Sequence, residues 1–208
     1  MPISGVRIET PRLRRLGPVL VEWTRVLDRY TRLYAQAFPR KALDNPYWNG
    51  ERAAVSSLAA AAWLSGGIAI EDYESAKGKG RASKYGRSDL WIMSRRVGYA
   101  LEAKLRWPAV GYASRGWERL TEDIDGWMLD AIGDARRIRK PEGRRVAALF
   151  VVPGLPEEDL VAQRGREMAA DLARLQRNSA WWFTLARGRV PKHDGIFYPG
   201  VALVMQLV

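Results

Sequence analysis

The chain has 208 residues, 34 Lys and Arg against 23 Asp and Glu, a formal charge of +11, 47% hydrophobic residues and no cysteine. Such a length can bury a core unaided, the composition excludes a disordered tail, and the missing thiols exclude disulfides and thiolate metal sites. The positive excess attracts polyanions, nucleic acid foremost, and without a leader or a bilayer-length apolar run the expectation is a cytoplasmic protein with no membrane contact.

Leu16, Val19, Leu20, Trp23, Val26, Leu27, Tyr30, Leu33, Tyr34 and Phe38 recur at steps of three and four. That spacing predicts an amphipathic helix over residues 13 to 38, closed by Pro39. After the turn signal Asp44-Asn45-Pro46, a second helix is expected from Asn49-Gly50 to Leu64, with Glu51 in its first turn and Ser65-Gly66-Gly67 as its stop. Ile68 to Tyr73 reads as a short strand. Lys77 to Arg87 then reads as a basic, Gly-rich loop holding Lys77, Lys79, Arg81, Lys84 and Arg87 and no acid. Asp89 to Met93 and Val97 to Trp107 are the next strands, with Arg95-Arg96 at a hairpin turn.

A third helix, from about Trp117 to Ile138, ends in the basic cluster Arg136, Arg137, Arg139, Lys140, Arg144 and Arg145. Val146 to Val152 is an unbroken apolar run, the pattern of a strand buried on both faces. A polar helix over residues 157 to 177 and terminal strands at Trp181 to Leu185 and Val201 to Val208 complete the chain; Trp181 and Trp182 must fall on opposite faces. Helices before, between and after the strands predict an α/β (α+β mixed) sandwich, a central mixed sheet flanked by helices.

Alternation along the strand at Val97 puts Tyr99, Leu101, Ala103, Leu105 and Trp107 on one side and Glu102, Lys104 and Arg106 on the other. A hairpin can bring Asp89 beside Glu102. Two converging carboxylates repel unless a cation lies between them, and oxygen donors suit Mg²⁺ or Mn²⁺. A hard cation so held polarises a phosphodiester and lowers the pKa of a bound water. Lys104 would position or help deprotonate that water and stabilise charge on the phosphate. The basic loop either clamps a phosphate backbone close to Asp89 or remains a solvated loop.

Ser88-Asp89 followed by Glu102-Ala103-Lys104 resembles the signature of the PD-(D/E)xK, restriction-endonuclease-like nucleases, with Ser88 in place of Pro. The element order over residues 49 to 152 (helix, three strands, helix, strand) is similar to that family's core. The resemblance implies metal ligation by Asp89 and Glu102, a catalytic Lys104 and a supporting Glu51 on the first core helix. It implies a metal-dependent nuclease acting on DNA ahead of RNA, with Lys77, Lys79, Arg81, Lys84, Arg87 and Arg106 as nucleic-acid contacts. The expected organisation is one nuclease-like domain over 1–208, with a helical extension over 1–45, a core over 49–152 and an added helix and strands over 155–208. The partners expected are nucleic acid and a second copy of the chain.

The competing reading is an inactive nuclease-fold protein that binds nucleic acid or a protein. His193, the only histidine, lies in the turn Pro191-Lys192-His193-Asp194-Gly195 and is assigned no role. A Ser-His-Asp triad and His-based zinc chemistry lack partners, and no P-loop pattern is present.

Overall fold

The apolar run that begins at Val146 lies at the middle of the fold. It forms a strand (Arg144–Val151) whose alternate side chains enter two separate cores. Val146, Ala148 and Phe150 join one, and Ala147, Leu149 and Val151 the other. The computed structural model describes residues 2–39, 44–77, 84–110, 116–139, 142–156, 161–174, 177–184 and 192–208.

In chain order the strands are β1 (Ile3–Arg7), β2 (Ile68–Lys77), β3 (Lys84–Ser94), β4 (Val97–Arg106), β5 (Ile138–Arg139), β6 (Arg144–Val151), β7 (Asn178–Phe183), β8 (Lys192–His193), β9 (Ile196–Phe197) and β10 (Gly200–Leu207). The α-helices are α1 (Gly17–Ala37), α2 (Glu51–Leu64), α3 (Gly116–Ala135) and α4 (Val161–Arg174). Eight strands form one mixed sheet in the order β1-β7-β10-β6-β4-β3-β2-β5. Its ladders are antiparallel except β4 against β6, which run parallel. The parallel step requires a crossover, and α3 provides it.

α1 and α2 cover one face, burying Val19, Leu20, Trp23, Leu27, Ala54, Val55 and Leu58 against Leu101, Ala103 and Phe150. α3 and α4 cover the other, with Ile124, Met128, Met168 and Leu172 over Leu149 and Val204. The neighbours Trp181 and Trp182 divide between the two cores as strand alternation requires. No helix among the described residues is long and apolar enough to cross a membrane.

Three expectations are corrected. β2 and β3 are longer than the sequence suggests, because their ladder continues to Lys77 opposite Lys84. Lys77, Lys84 and Arg87 therefore belong to a two-stranded ribbon and not to a loop; Lys79 and Arg81 lie outside the described residues. An antiparallel ladder already anchored at Ile68 opposite Met93 satisfies backbone groups at each further step, whatever the side-chain propensity. The third helix stops at Ala135, and Ile138–Arg139 pairs with the end of β2 instead. Residues 3–7, given no element from sequence, form an edge strand paired with β7.

Candidate active site

β3 and β4 pair from Ser94 opposite Val97 as far as Leu90 opposite Leu101, and there they part. β4 continues beside β6 to Arg106, while β3 continues beside β2. Two amides of β4 beyond the parting point are taken by carboxylates. Asp89 Oδ2 accepts from the Ala103 amide at 2.7 Å, and Glu51 Oε2 accepts from the Leu105 amide at 2.9 Å. Asp89 is thus mid-strand, not at a strand start, and the β2–β3 register skips it together with Asp72. Asp72 adopts a left-handed backbone (φ 49), which Asp tolerates better than most residues. Gly50, with φ 97, precedes α2 so that Glu51 occupies its first turn. In this way two acids distant in sequence reach one gap in the sheet.

The opposite side of β4 carries the remaining expected residues. Glu102, Lys104 and Arg106 lie in register with Ala147, Leu149 and Val151, on the α3 side. Glu102 is 4% exposed, and Lys104 follows it on the same side at a strand repeat of roughly 7 Å. Lys104 Nζ lies 2.6 Å from Asp134 of α3, and Arg106 Nη2 lies 3.1 Å from Asp130, one helical turn earlier. Asp134 also meets Arg137 at 3.1 Å.

These groups share one electrostatic field. Burial raises the Glu51 carboxyl above its ordinary range and the Asp89 charge adds to that; Lys104, the Leu105 amide and Arg106 act in the other direction. For Lys104, burial works against the ammonium. The hydrogen bond to Asp134 and the charges of Asp134, Glu51 and Asp89 outweigh it, and the net displacement is upward. Lys104 is therefore a firm cation at neutral pH.

The raised Glu51 carboxyl makes the stability of the fold depend on pH. A carboxyl whose folded value exceeds its unfolded value contributes stability at low pH that is lost as pH rises through the folded value. Glu51→Gln keeps an acceptor for Leu105 and removes the charge. In EDTA, the variant should melt progressively higher than the parent as pH rises from 4 to 7, and added Mg²⁺ should narrow the gap by stabilising the parent. A difference in Tm that is flat with pH would show that Glu51 carries no such strain.

A small cleft of about 100 Å³ adjoins this point, lined by Glu51, Arg52, Val55, Glu71, Asp72 and Asp89. Ser56 donates to Glu71 at 2.6 Å, and Arg52 lies 3.5 Å from Asp72. The expected residues Glu51, Asp89 and Lys104 are thus brought into mutual range, and Glu102 and Arg106 lie along the same strand. The side chains of Lys77 and Lys84 are outside the described set, and Arg87 is an exposed residue of β3. Sequence reasoning misses Asp130, Asp134, Glu71 and Asp72. The Glu71-Asp72 pair interrupting an apolar strand is the one available signal; a partner on a helix thirty residues away leaves none.

Among the described residues no three acidic or histidine groups already converge as a metal cage. Mg²⁺ keeps several waters and takes one or two carboxylates plus substrate phosphates. Two neighbouring carboxylates, with Glu51 raised by burial and then by the charge of Asp89, are a donor set of that kind. Compared with known protein families, curated proteins and solved structures, the chain matches none.

Proposed function

We propose that the chain is a metal-dependent nuclease on a restriction-endonuclease-like core, hydrolysing nucleic-acid phosphodiester bonds, in DNA ahead of RNA. The observation that carries the reading is the gap between β3 and β4, where Asp89 and Glu51 seal the edge of the strand bearing Glu102 and Lys104. The order α2, β2, β3, β4, α3, β6, with β4 parallel to β6, supports the same core.

Asp89 and Glu51, the two carboxylates that share the cleft, are the residues that would hold Mg²⁺ or Mn²⁺, with Glu102 outside that pair on the α3 side of β4; when bound such an ion supplies an activated water and charge neutralisation at the phosphate. The amides of Ala103 and Leu105 each fix one oxygen of Asp89 and Glu51, which orients both carboxylates in advance of any ligand. Lys104, raised by its acidic neighbours, is a poor proton acceptor. Its part is to orient the attacking water and to stabilise negative charge at the attacked phosphorus. Arg106 extends the positive rim for the next phosphate.

A second reading, an inactive nuclease-fold binding protein, is favoured by the contact that ties Lys104 to Asp134. Incubation with Mn²⁺ and supercoiled plasmid, single-stranded DNA or RNA separates the two. Cleavage abolished by EDTA is expected, with Mn²⁺ binding seen by calorimetry. Metal binding without cleavage of any substrate selects the second reading. A protein that neither binds Mn²⁺ nor cleaves any of the three substrates refutes the first outright.

A further inference from the structure

The end of the sheet remote from the candidate site gathers arginines from three separate segments. A 3₁₀ turn (Pro11–Leu16) brings Arg12 and Arg15, the β3–β4 hairpin brings Arg95 and Arg96, and the start of β6 brings Arg144 and Arg145. Hydrogen bonds tie Arg12, Arg15, Arg95 and Arg144 together, and Arg96 and Arg145 adjoin them as chain neighbours. Ser94 Oγ donates to the Arg15 carbonyl at 2.6 Å, and Arg15 Nη1 donates to the Arg95 carbonyl at 2.6 Å. The Tyr99 hydroxyl donates to the Arg12 carbonyl at 3.0 Å, and the Arg144 guanidinium donates to that carbonyl too while lying over the Tyr99 ring. Close passage of Gly98 against Gly143, where a Cβ on either would meet backbone of the facing segment, sets the start of β6 beside the hairpin.

Two features of this pole oppose stability and do not favour it. Among the described residues, none of the six guanidiniums is in an ion pair; the contacts they do make are to carbonyls or to the Tyr99 side chain. Glu142, an acid at this end, accepts a hydrogen bond from Tyr73. Like charges gathered this closely repel one another. The hairpin turn is also strained. Arg95 and Arg96 have φ of 48 and 64, both left-handed, in a two-residue connection where Asn-Gly is the relaxed choice. A turn that carries two arginines in place of those residues forgoes local stability at the point where arginines of three segments meet.

We propose that this arginine pole is a docking site for the phosphate backbone of double-stranded nucleic acid, separate from the candidate active site. Arginine presents a planar fork that pairs bidentately with phosphate, and all six cations are arginine. From Val97 at the hairpin to Lys104 is seven residues of strand, roughly 23 Å, and helices cover both faces in between. The pole therefore holds a duplex by its backbone at a distance from the scissile position, and sequence readout is not required of it.

The discriminating variant is R95N/R96G, which relaxes the turn and keeps the backbone carbonyl at position 95 that Arg15 uses. Binding of a fluorescent 20-base-pair duplex is measured by anisotropy in EDTA, so that the result is independent of cleavage and of the nuclease reading. The expected result is a Tm equal to or above the parent's, affinity about ten-fold weaker, and a salt slope reduced by about 1.8, because two phosphates are no longer neutralised. Unchanged affinity and slope in a folded R95N/R96G protein overturns the proposal, as does a parent protein that binds no duplex. Poly-L-glutamate bound as tightly as the duplex at matched charge also overturns it, because the pole would then read carboxylate on an acidic protein. Should the double variant fold poorly, R145Q is the second probe, expected to lower the slope by about 0.9; an unchanged slope there overturns the proposal equally.

Discussion

If the chain is the nuclease proposed above, Lys104→Ala is expected to lower metal-dependent cleavage by roughly 100- to 1,000-fold and to leave divalent-ion binding in place. In that proposal the lysine would contribute charge and hydrogen-bond donors where negative charge develops, and would not itself be a ligand. Its removal should not disturb the fold greatly, because Asp134 retains Arg137 at 3.1 Å. Asp89→Ala is the contrast. That side chain seals the Ala103 amide and lies within the field of Glu51, so its loss removes an oriented carboxylate and leaves an edge amide without its acceptor. Asp89→Ala should lose both cleavage and Mn²⁺ binding. Equal cleavage by Lys104→Ala and the parent, across Mg²⁺ and Mn²⁺, would sink the catalytic assignment of the lysine.

Trp23→Ala destabilises the protein by about 3–5 kcal/mol. Trp23 is fully buried on α1, its ring 5.9 Å from that of Phe150 on β6, and its Nε1 donates to Ser57 Oγ on α2 at 2.8 Å. The truncation empties a large volume between helix and sheet and removes the donor to Ser57. Against a typical total of about 5–15 kcal/mol, such a loss is a substantial fraction. Urea denaturation measures it. A cost below about 1 kcal/mol would mean that α1 is a peripheral attachment. The same packing governs the site at one remove, since α2 presents Glu51 from its first turn and is held against the sheet partly by α1.

The described residues of the stretch 1 to 45, an extension when judged by sequence, supply a large part of one core. The helical period at Leu16, Val19, Leu20, Trp23 and Leu27 is legible in the chain, and all five are buried. What periodicity cannot report is the surface such a stripe meets. β1 is missed because Ile3-Ser4-Gly5-Val6-Arg7 has a weak strand pattern, and it is held in place by pairing with β7, more than 170 residues later. Gly5 is required there by the Trp181 ring, which occupies the space a Cβ would take. The basic ribbon that ends at Lys77 and Lys84 has the same explanation, for its order derives from a ladder partner and not from its own residues.

For the site, sequence alone determined the alternation of β4: Glu102, Lys104 and Arg106 on one side, Leu101, Ala103 and Leu105 on the other. It also determined the neighbours in register, since a two-residue hairpin at Arg95-Arg96 sets Leu90 opposite Leu101. A period of two and a short turn are local properties, and local properties are written in the chain. Only the tertiary structure decided that β3 parts from β4 at Asp89, that the Ala103 and Leu105 amides receive carboxylates from β3 and α2, and that Asp134 of α3 holds Lys104. Those are contacts between segments 14, 54 and 30 residues apart. Each depends on where a strand leaves its neighbour and how a helix lies across the sheet, and these follow from how the two cores pack on either side of β6.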